Sequence, residues 1–286
     1  MPEMPEVHAL ADDLAQRLVG RTIARFDVSA ISALKTFDPP AAAVVGRTVE
    51  DATHFGKFLD LDLGDLHVVI HLAKAGWIRW HDVLPPPRTG RGALAARLAL
   101  DDGSGLAITE AGTKKSLAIW VVRDPLEVPR LATLGPDPLS DAFTEERFAA
   151  VLAAAGRAQI KGVLRDQARI AGIGNAYSDE ILHAARMSPF KPAAMAPDDV
   201  HRLYEAMRSV LADAVRRSEG LAMADLKGEK KAGMRVHGRT GEACPVCGDT
   251  IRQVRFADST LQYCPTCQTG GKPLADRALS RLGISV

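Results

Sequence analysis

The chain of 286 residues is 47% hydrophobic and sets 36 Lys and Arg against 35 Asp and Glu, for a formal net charge of +1. That is enough apolar sequence for two domains with separate cores, and the charge balance excludes a uniformly basic protein, so a nucleic-acid partner has to be met by a local basic surface. No run of about 18 apolar residues occurs, and Glu3 and Glu6 stand where a secretory signal carries positive charge, which argues against a membrane span and for a cytoplasmic chain, nucleoid-associated if it binds DNA.

The chain opens Met1-Pro2-Glu3-Met4-Pro5-Glu6. Removal of Met1 would leave a secondary amine beside a carboxylate. An α-amino group titrates near 7.7–8.0 and a lysine near 10.4, so the terminal amine is the one with a sizeable free-base fraction at neutral pH. Attack by such an amine on a sugar carbon gives an iminium, a covalent intermediate that splits one hard step into two, and Glu3 is placed to act as general acid for the sugar oxygen. The structural alternative is that Pro2 and Pro5 only start a helix, with Glu6 favouring its positive end. Either way, Val7, Leu10, Leu14 and Leu18 recur with the spacing of one helix face, and Gly20 supplies a stop.

From Lys57 to Leu63 and from Leu66 to Leu72, two apolar runs flank Gly64-Asp65 and predict a β-hairpin. Strands are also predicted at Trp77 to Val83, Leu94 to Leu100, Leu106 to Thr109 and Leu117 to Val122, which together suggest a β-sandwich or barrel. Trp77, Trp80 and Trp120 read as sandwich core or rim rather than base-stacking platforms, and His71 as a packed strand residue. Prolines crowd at 125, 129, 136 and 138, where the linker is placed.

Beyond it the period becomes helical: Thr144 caps a helix through Ala155, a second runs from about Gln159 to Ile170, Ala171 to Gly174 interrupts, and helices resume over Asn175 to Arg186 and Pro197 to Arg217. Two helices joined by a glycine-containing turn form a helix-turn-helix-like unit. The helix N-terminus at Asn175 suits a phosphate; equally, Gly172 and Gly174 allow the chain to turn. All four cysteines lie in the last part. Cys244 and Cys247 are separated from Cys264 and Cys267 by sixteen residues, the spacing of a closed four-thiolate zinc site, structural rather than catalytic.

The residues thus predict an α+β chain: an N-terminal β-sandwich domain with a leading helix (1–123), a linker (124–140), a helical domain (141–235), which the resemblance that follows makes the DNA-binding one, and a zinc-finger region (236–286). Three stretches, in order and spanning nearly the whole chain, resemble the formamidopyrimidine-DNA glycosylase and endonuclease VIII family. They are Pro2-Glu3 with Pro5-Glu6-Val7, the segment Gln167 to Leu182, and the four-cysteine ribbon with Val236 to Glu242 before it.

The resemblance implies a base-excision-repair DNA glycosylase with AP-lyase activity, a helix-two-turns-helix domain, one structural zinc, and a DNA partner carrying a damaged base or abasic site. A monomer that engages no membrane is expected. By the family pattern Pro2 is the nucleophile and forms a Schiff base, Glu3 is the proton donor, Lys57 is the catalytic lysine, and Asn175 grips the backbone, with Lys161 near phosphate. The flipped base leaves a hole that has to be filled.

The chain departs from that pattern in three places. His71 to Gly76 resembles the family's His-Leu-Gly-Met-Ser-Gly, but Lys74 replaces the apolar wedge. Thr109 to Ser116 lacks the usual arginine and phenylalanine and carries Lys114 and Lys115 instead, suited to phosphate or to a solvated turn. Ser259 replaces the ribbon arginine five residues before the third cysteine, which puts δ-elimination in question and leaves Arg255 as a substitute. The short lysine-bearing segment before Met234 (227, 230, 231) leans the expectation towards endonuclease VIII-like pyrimidine lesions, or abasic or open DNA. The competing expectation is a non-catalytic or structure-specific DNA-binding protein.

Overall fold

A computed structural model describes residues 1–86, 93–257 and 259–275. They form two compact units, one of Met1–Thr133 joined by Ser218–Lys227, the other of Leu134–Arg217 with the described residues from Gly228 onward. The first boundary falls inside the proline-rich stretch. The return of residues 218–227 to the first unit is carried by Met223 and Leu226, which pack into its core.

In the first unit, helix α1 (Met4–Leu18) buries Val7, Leu10, Leu14 and Leu18 completely and turns Asp12 and Gln16 to solvent. The chain leaves it through Gly20 at φ +80°, a conformation that favours glycine. Among the described residues eight strands follow: β1 (Ile23–Val28), β2 (Asp51–Phe55), β3 (Phe58–Asp62), β4 (His67–His71), β5 (Gly76–His81), β6 (Leu94–Leu100), β7 (Gly105–Glu110) and β8 (Ala118–Val122). They make two four-stranded antiparallel sheets, β1-β6-β7-β5 and β2-β3-β4-β8.

The predicted hairpin is β3–β4, with Leu59 opposite Ile70 and Leu61 opposite Val68. These four residues join Ile78, Leu98, Ile108, Ile119 and the buried face of α1 in a single core cluster. Burying each such side chain contributes on the order of 1.5–3 kcal/mol. Strands β1 and β2 escaped the sequence pattern. The first carries a register shift between Ile23 and Arg25, and the second mixes Asp51, Thr53 and His54 among its apolar residues, so neither shows a clean period of two. Trp77 belongs to the core, Trp80 packs partly against it, and Trp120 stands 6.0 Å from the Phe58 ring.

In the second unit, Thr144 caps α2 (Glu145–Ala155). Helix α3 covers only Ile160–Arg165, not the predicted Gln159 to Ile170. Side chains divert the backbone: Asp166 Oδ1 accepts from the Ala168 amide, while Gln167 accepts from the Gly172 amide at 3.0 Å and donates to the Ile173 carbonyl at 2.7 Å. Backbone groups satisfied this way no longer need a helix.

Helix α4 (Asn175–Ala184) ends ahead of Arg186, which sits at φ +50°. Then come α5 (Pro197–Ser218), α6 (Leu226–Gly233), the hairpin β9 (Arg252–Arg255) and β10 (Thr260–Tyr263), and the short α7 (Pro265–Thr269). Among the described residues no helix is long and apolar enough to cross a membrane.

Candidate active site and nucleic-acid interface

The start of α1 is fixed by its own acids. The Glu3 amide donates to Glu6 Oε2 at 2.8 Å within a reciprocal capping box, and the Val7 amide donates to the Glu3 carbonyl at 3.0 Å. This satisfies amides that a helix N-terminus leaves without intrahelical partners. Pro2 is buried, and Glu3 and Glu6 are only 2% and 1% exposed. The segment proposed to react is therefore a rigid helix lead-in and not a loose tail.

Helix α1 packs on β2 and β3. The contact includes His8 Nδ1 and His54 Nε2 at 3.0 Å, which ties the helix to β2 three residues before Lys57. Lys57 lies in the two-residue turn between Phe55 and Phe58, with Gly56 at φ +56° supplying the positive φ that such hairpin turns require. It is 9% exposed. Close by, His71 packs against Phe58 with ring centroids 4.7 Å apart. Burial first, then the charges of Arg130 and Lys57, push the His71 pKa down to about 4, so it stands neutral in the folded protein at pH 7.

Two loops carrying the unexpected lysines meet at one end of the β5–β7 pair. The Gly76 amide donates to the Leu72 carbonyl at 2.8 Å and closes a turn with exposed Lys74 in its middle. A Cβ on Gly76 would fall 2.1 Å from that carbonyl, so only glycine fits. The Ala111 amide donates to the Ala75 carbonyl at 3.1 Å and joins this turn to the next loop. That loop is organised by buried Glu110, whose Oε1 accepts from the Ser116 and Leu117 amides at 2.7 and 2.9 Å. Lys115 donates to the Glu110 carbonyl, and Lys114 is exposed.

In the second unit Lys161 points inward. Its ammonium donates to Asp179 Oδ1 at 2.6 Å, to Ser178 Oγ at 2.7 Å and to the Asn175 carbonyl at 3.1 Å, three acceptors for three N–H donors. The other Asp179 oxygen lies 2.7 Å from His237 Nδ1. Asn175 donates its amide to the Thr260 carbonyl at 2.7 Å, and its Oδ1 is buried without a hydrogen-bond partner. Thr260 pairs with Arg255 across the hairpin, which places exposed Arg255 at the strand position that Asn175 binds. Ser259, half-buried, closes the hairpin by accepting at its carbonyl from the Phe256 amide.

The sulfurs of Cys244, Cys247, Cys264 and Cys267 all lie within 4.8 Å of one another, with Cys247 and Cys264 at 3.3 Å and Cys244 and Cys267 at 3.9 Å. A tetrahedral zinc with bonds of about 2.3 Å needs sulfurs about 3.8 Å apart, so the donor set fits one structural zinc. Burial and neighbouring sulfurs push the Cys264 thiol up to about 11, so at neutral pH it would give up its proton only in exchange for a bound cation.

Family models match the chain along its length. The formamidopyrimidine-DNA glycosylase N-terminal domain matches residues 1–113, the formamidopyrimidine-DNA glycosylase H2TH domain residues 134–224, and the zinc finger found in FPG and IleRS residues 241–270. The chain belongs to the formamidopyrimidine-DNA glycosylase family. Among family relatives, the formamidopyrimidine-DNA glycosylase of Symbiobacterium thermophilum is 36% identical over 94% of this chain and 89% of its own length. An uncharacterized formamidopyrimidine-DNA glycosylase-like protein of Mycobacterium tuberculosis is 59% identical over 54% of this chain and 96% of its own length. Of solved structures, the MutM (Fpg) protein of Thermus thermophilus superposes with a TM-score of 0.80 at 32% identity, covering 95% of this chain and all of that one. Lactococcus lactis Fpg bound to DNA with an AP site superposes at 0.81 with 26% identity, covering 93% of this chain and 99% of that one.

Within this formamidopyrimidine-DNA glycosylase fold, the first unit carries Pro2, Glu3, Lys57, Lys74, Lys114 and Lys115, and the second carries Lys161, Asn175, Arg255, Ser259 and the four cysteines. Sequence reasoning missed Glu110, Asp179, His237 and the pair His8–His54. Asp179 and His237 had a signal, since they lie in the Gln167 to Leu182 and Val236 to Glu242 stretches that carry the resemblance. Glu110 had none, because a carboxylate that caps its own downstream loop looks like any strand-end acid.

Proposed function

We propose that this protein is a bifunctional DNA glycosylase with AP-lyase activity whose nucleophile is the secondary amine of Pro2, freed by removal of Met1. The Pro2 nitrogen bonds to C1′ of the damaged nucleoside, the glycosidic bond breaks, and the base leaves with the proton that the Pro2 nitrogen gives up. Glu3 gives a proton to the ring oxygen as the C1′–O4′ bond opens, which leaves the iminium. Loss of a C2′ proton then expels the 3′ phosphate and cuts the strand, and water releases the enzyme.

What supports this most is the buried, doubly capped start of α1, which holds Pro2 and Glu3 rigidly in the unit that also presents Lys57. Positioning of this kind is what turns an amine and an acid into catalysts.

The chain's own features narrow the substrate. Lys74, Lys114 and Lys115, on joined loops, suit phosphates better than a gap in a base stack, and Asn175 with Arg255 suits the lesion-flanking backbone. Lys161, with its donors filled, serves as the positioning residue for the Asn175 turn rather than as a phosphate ligand. The segment before Met234 is a short helix whose Lys230 Nζ stands 4.7 Å from the centre of the Tyr177 ring, and it favours smaller oxidised pyrimidines or abasic and opened DNA.

The test is incubation with abasic-site DNA and borohydride, with the adduct mapped by mass spectrometry. The expected result is one covalent product on the Pro2 peptide, lost when Met1 is retained. Salt-sensitive DNA binding without any adduct would overturn the proposal and favour a structure-specific binding protein, the reading that Lys74 in place of an apolar wedge otherwise suggests.

A further inference from the structure

Helix α4 is fastened to the zinc ribbon at intervals along its length. At its start Asn175 binds the Thr260 carbonyl. Midway, buried Glu180 accepts from the Arg235, Val236 and His237 amides at 2.8, 3.0 and 2.8 Å. Past its end, Gln268 donates to the Met187 carbonyl at 3.0 Å. In its last turn, His183 Nε2 lies 3.3 Å from Cys244 Sγ, and both residues are 3% exposed.

We propose that His183 is a positioning residue of the zinc centre, donating its Nε2–H to the Cys244 thiolate and so raising the retention of the metal. The tautomer follows from the partners. A metal-bound thiolate has only lone pairs to offer, so Nε2 must carry the proton, and the buried Nδ1, which has no hydrogen-bond partner, is then a bare acceptor rather than a stranded N–H. The electrostatic need is equally local. Four thiolates around a divalent ion leave the centre with an excess of negative charge. Cys244 is cut off from water and lies in an apolar cluster with Val236, Ile251 and Cys264, so a fixed N–H dipole is what offsets its charge. Four sulfurs already close the coordination sphere, so His183 acts through Cys244 and not on the metal.

The consequence is that ribbon and helix are one mechanical piece. The bond at Cys244 and the bond at Thr260 hold opposite ends of α4, so metal retention and the setting of Asn175 depend on the same helix.

The experiment compares the zinc-loaded full chain with His183→Phe, His183→Gln and His183→Asn. The glutamine amide reaches roughly where Nε2 lies, and the shorter asparagine amide stops near Nδ1. Zinc release to a chromogenic chelator is expected to be about ten-fold or more faster in His183→Phe and His183→Asn, in line with the usual loss when such a partner is removed, and close to wild type in His183→Gln. In cobalt-substituted protein the sulfur-to-metal charge-transfer band should shift in the phenylalanine and asparagine variants and return in the glutamine variant. Wild-type release from His183→Phe would overturn the proposal. So would equal acceleration in glutamine and asparagine with an unmoved band, which would mean that packing alone matters. If His183→Phe does not fold, the glutamine–asparagine comparison decides.

Discussion

Lys161 Nζ lies 2.6 Å from Asp179 Oδ1, and the two side chains are 7% and 1% exposed. A pair this deep is held by mutual need: each charge alone would be stranded in low dielectric. Lys161→Met should therefore cost about 3–5 kcal/mol in chemical denaturation, the usual consequence of removing one partner of a buried pair. Adding Asp179→Asn should restore a large part of it. A phosphate-binding lysine would behave differently, losing DNA affinity with stability unchanged, and that outcome would return Lys161 to the DNA interface.

The Lys74 turn gives a second prediction. Ala73 sits at φ +51°, where a side chain costs about 1–2 kcal/mol. Glycine there removes that strain but gives back about 0.4–1 kcal/mol through the freer unfolded chain. Ala73→Gly should thus leave stability level or raise it by up to about 1.6 kcal/mol. Gly76→Ala should do the reverse, because its Cβ meets the Leu72 carbonyl at 2.1 Å and the turn must open. Thermal melts of the two variants, run together, check the opposite signs.

Legibility in the sequence followed periodicity and spacing. The face of α1, the β3–β4 hairpin and the cysteine pairs repeat a pattern that burial or coordination enforces, so they could be read before any coordinates. The short α3 could not, because Asp166 and Gln167 satisfy its next backbone groups from side chains, and no period records that. The inward turn of Lys161 was invisible for a similar reason. Its acceptors Ser178 and Asp179 lie seventeen and eighteen residues away, on a different helix. Conversely Pro2 and Glu3 read in the sequence either as chemistry or as a helix start, and the capping box shows the helix start.

Glu110 should prove to be the organiser of the basic loop that follows it. Glu110→Ala removes an acceptor shared by the Ser116 and Leu117 amides and leaves them without it, at a cost of about 1–3 kcal/mol. Hydrogen exchange at these two amides is expected to accelerate, and DNA affinity to fall along with its salt dependence if Lys114 and Lys115 lose their setting. Glu110→Gln keeps a carbonyl acceptor and should behave close to wild type. Unchanged exchange in Glu110→Ala would show that the loop holds itself.

His71 makes the first unit sensitive to mild acid. Its folded pKa of about 4 lies below the ordinary value of 6.5, with burial the main cause and Arg130 and Lys57 adding to it. The unfolded chain therefore binds a proton that the folded one refuses across that window. The stability contribution is fully present above about pH 6.5 and is lost as pH falls towards 4, reaching a ceiling of about 3 kcal/mol, with about 2 kcal/mol gone by pH 5. His71→Gln removes the titrating group while keeping a polar side chain of similar reach. Between pH 7.5 and 5 the wild-type denaturation free energy should drop by about 2 kcal/mol more than that of the variant. Parallel curves would mean that the site tolerates a charged imidazole beside Phe58 despite Arg130 and Lys57, and that acid sensitivity has to be sought elsewhere in the unit.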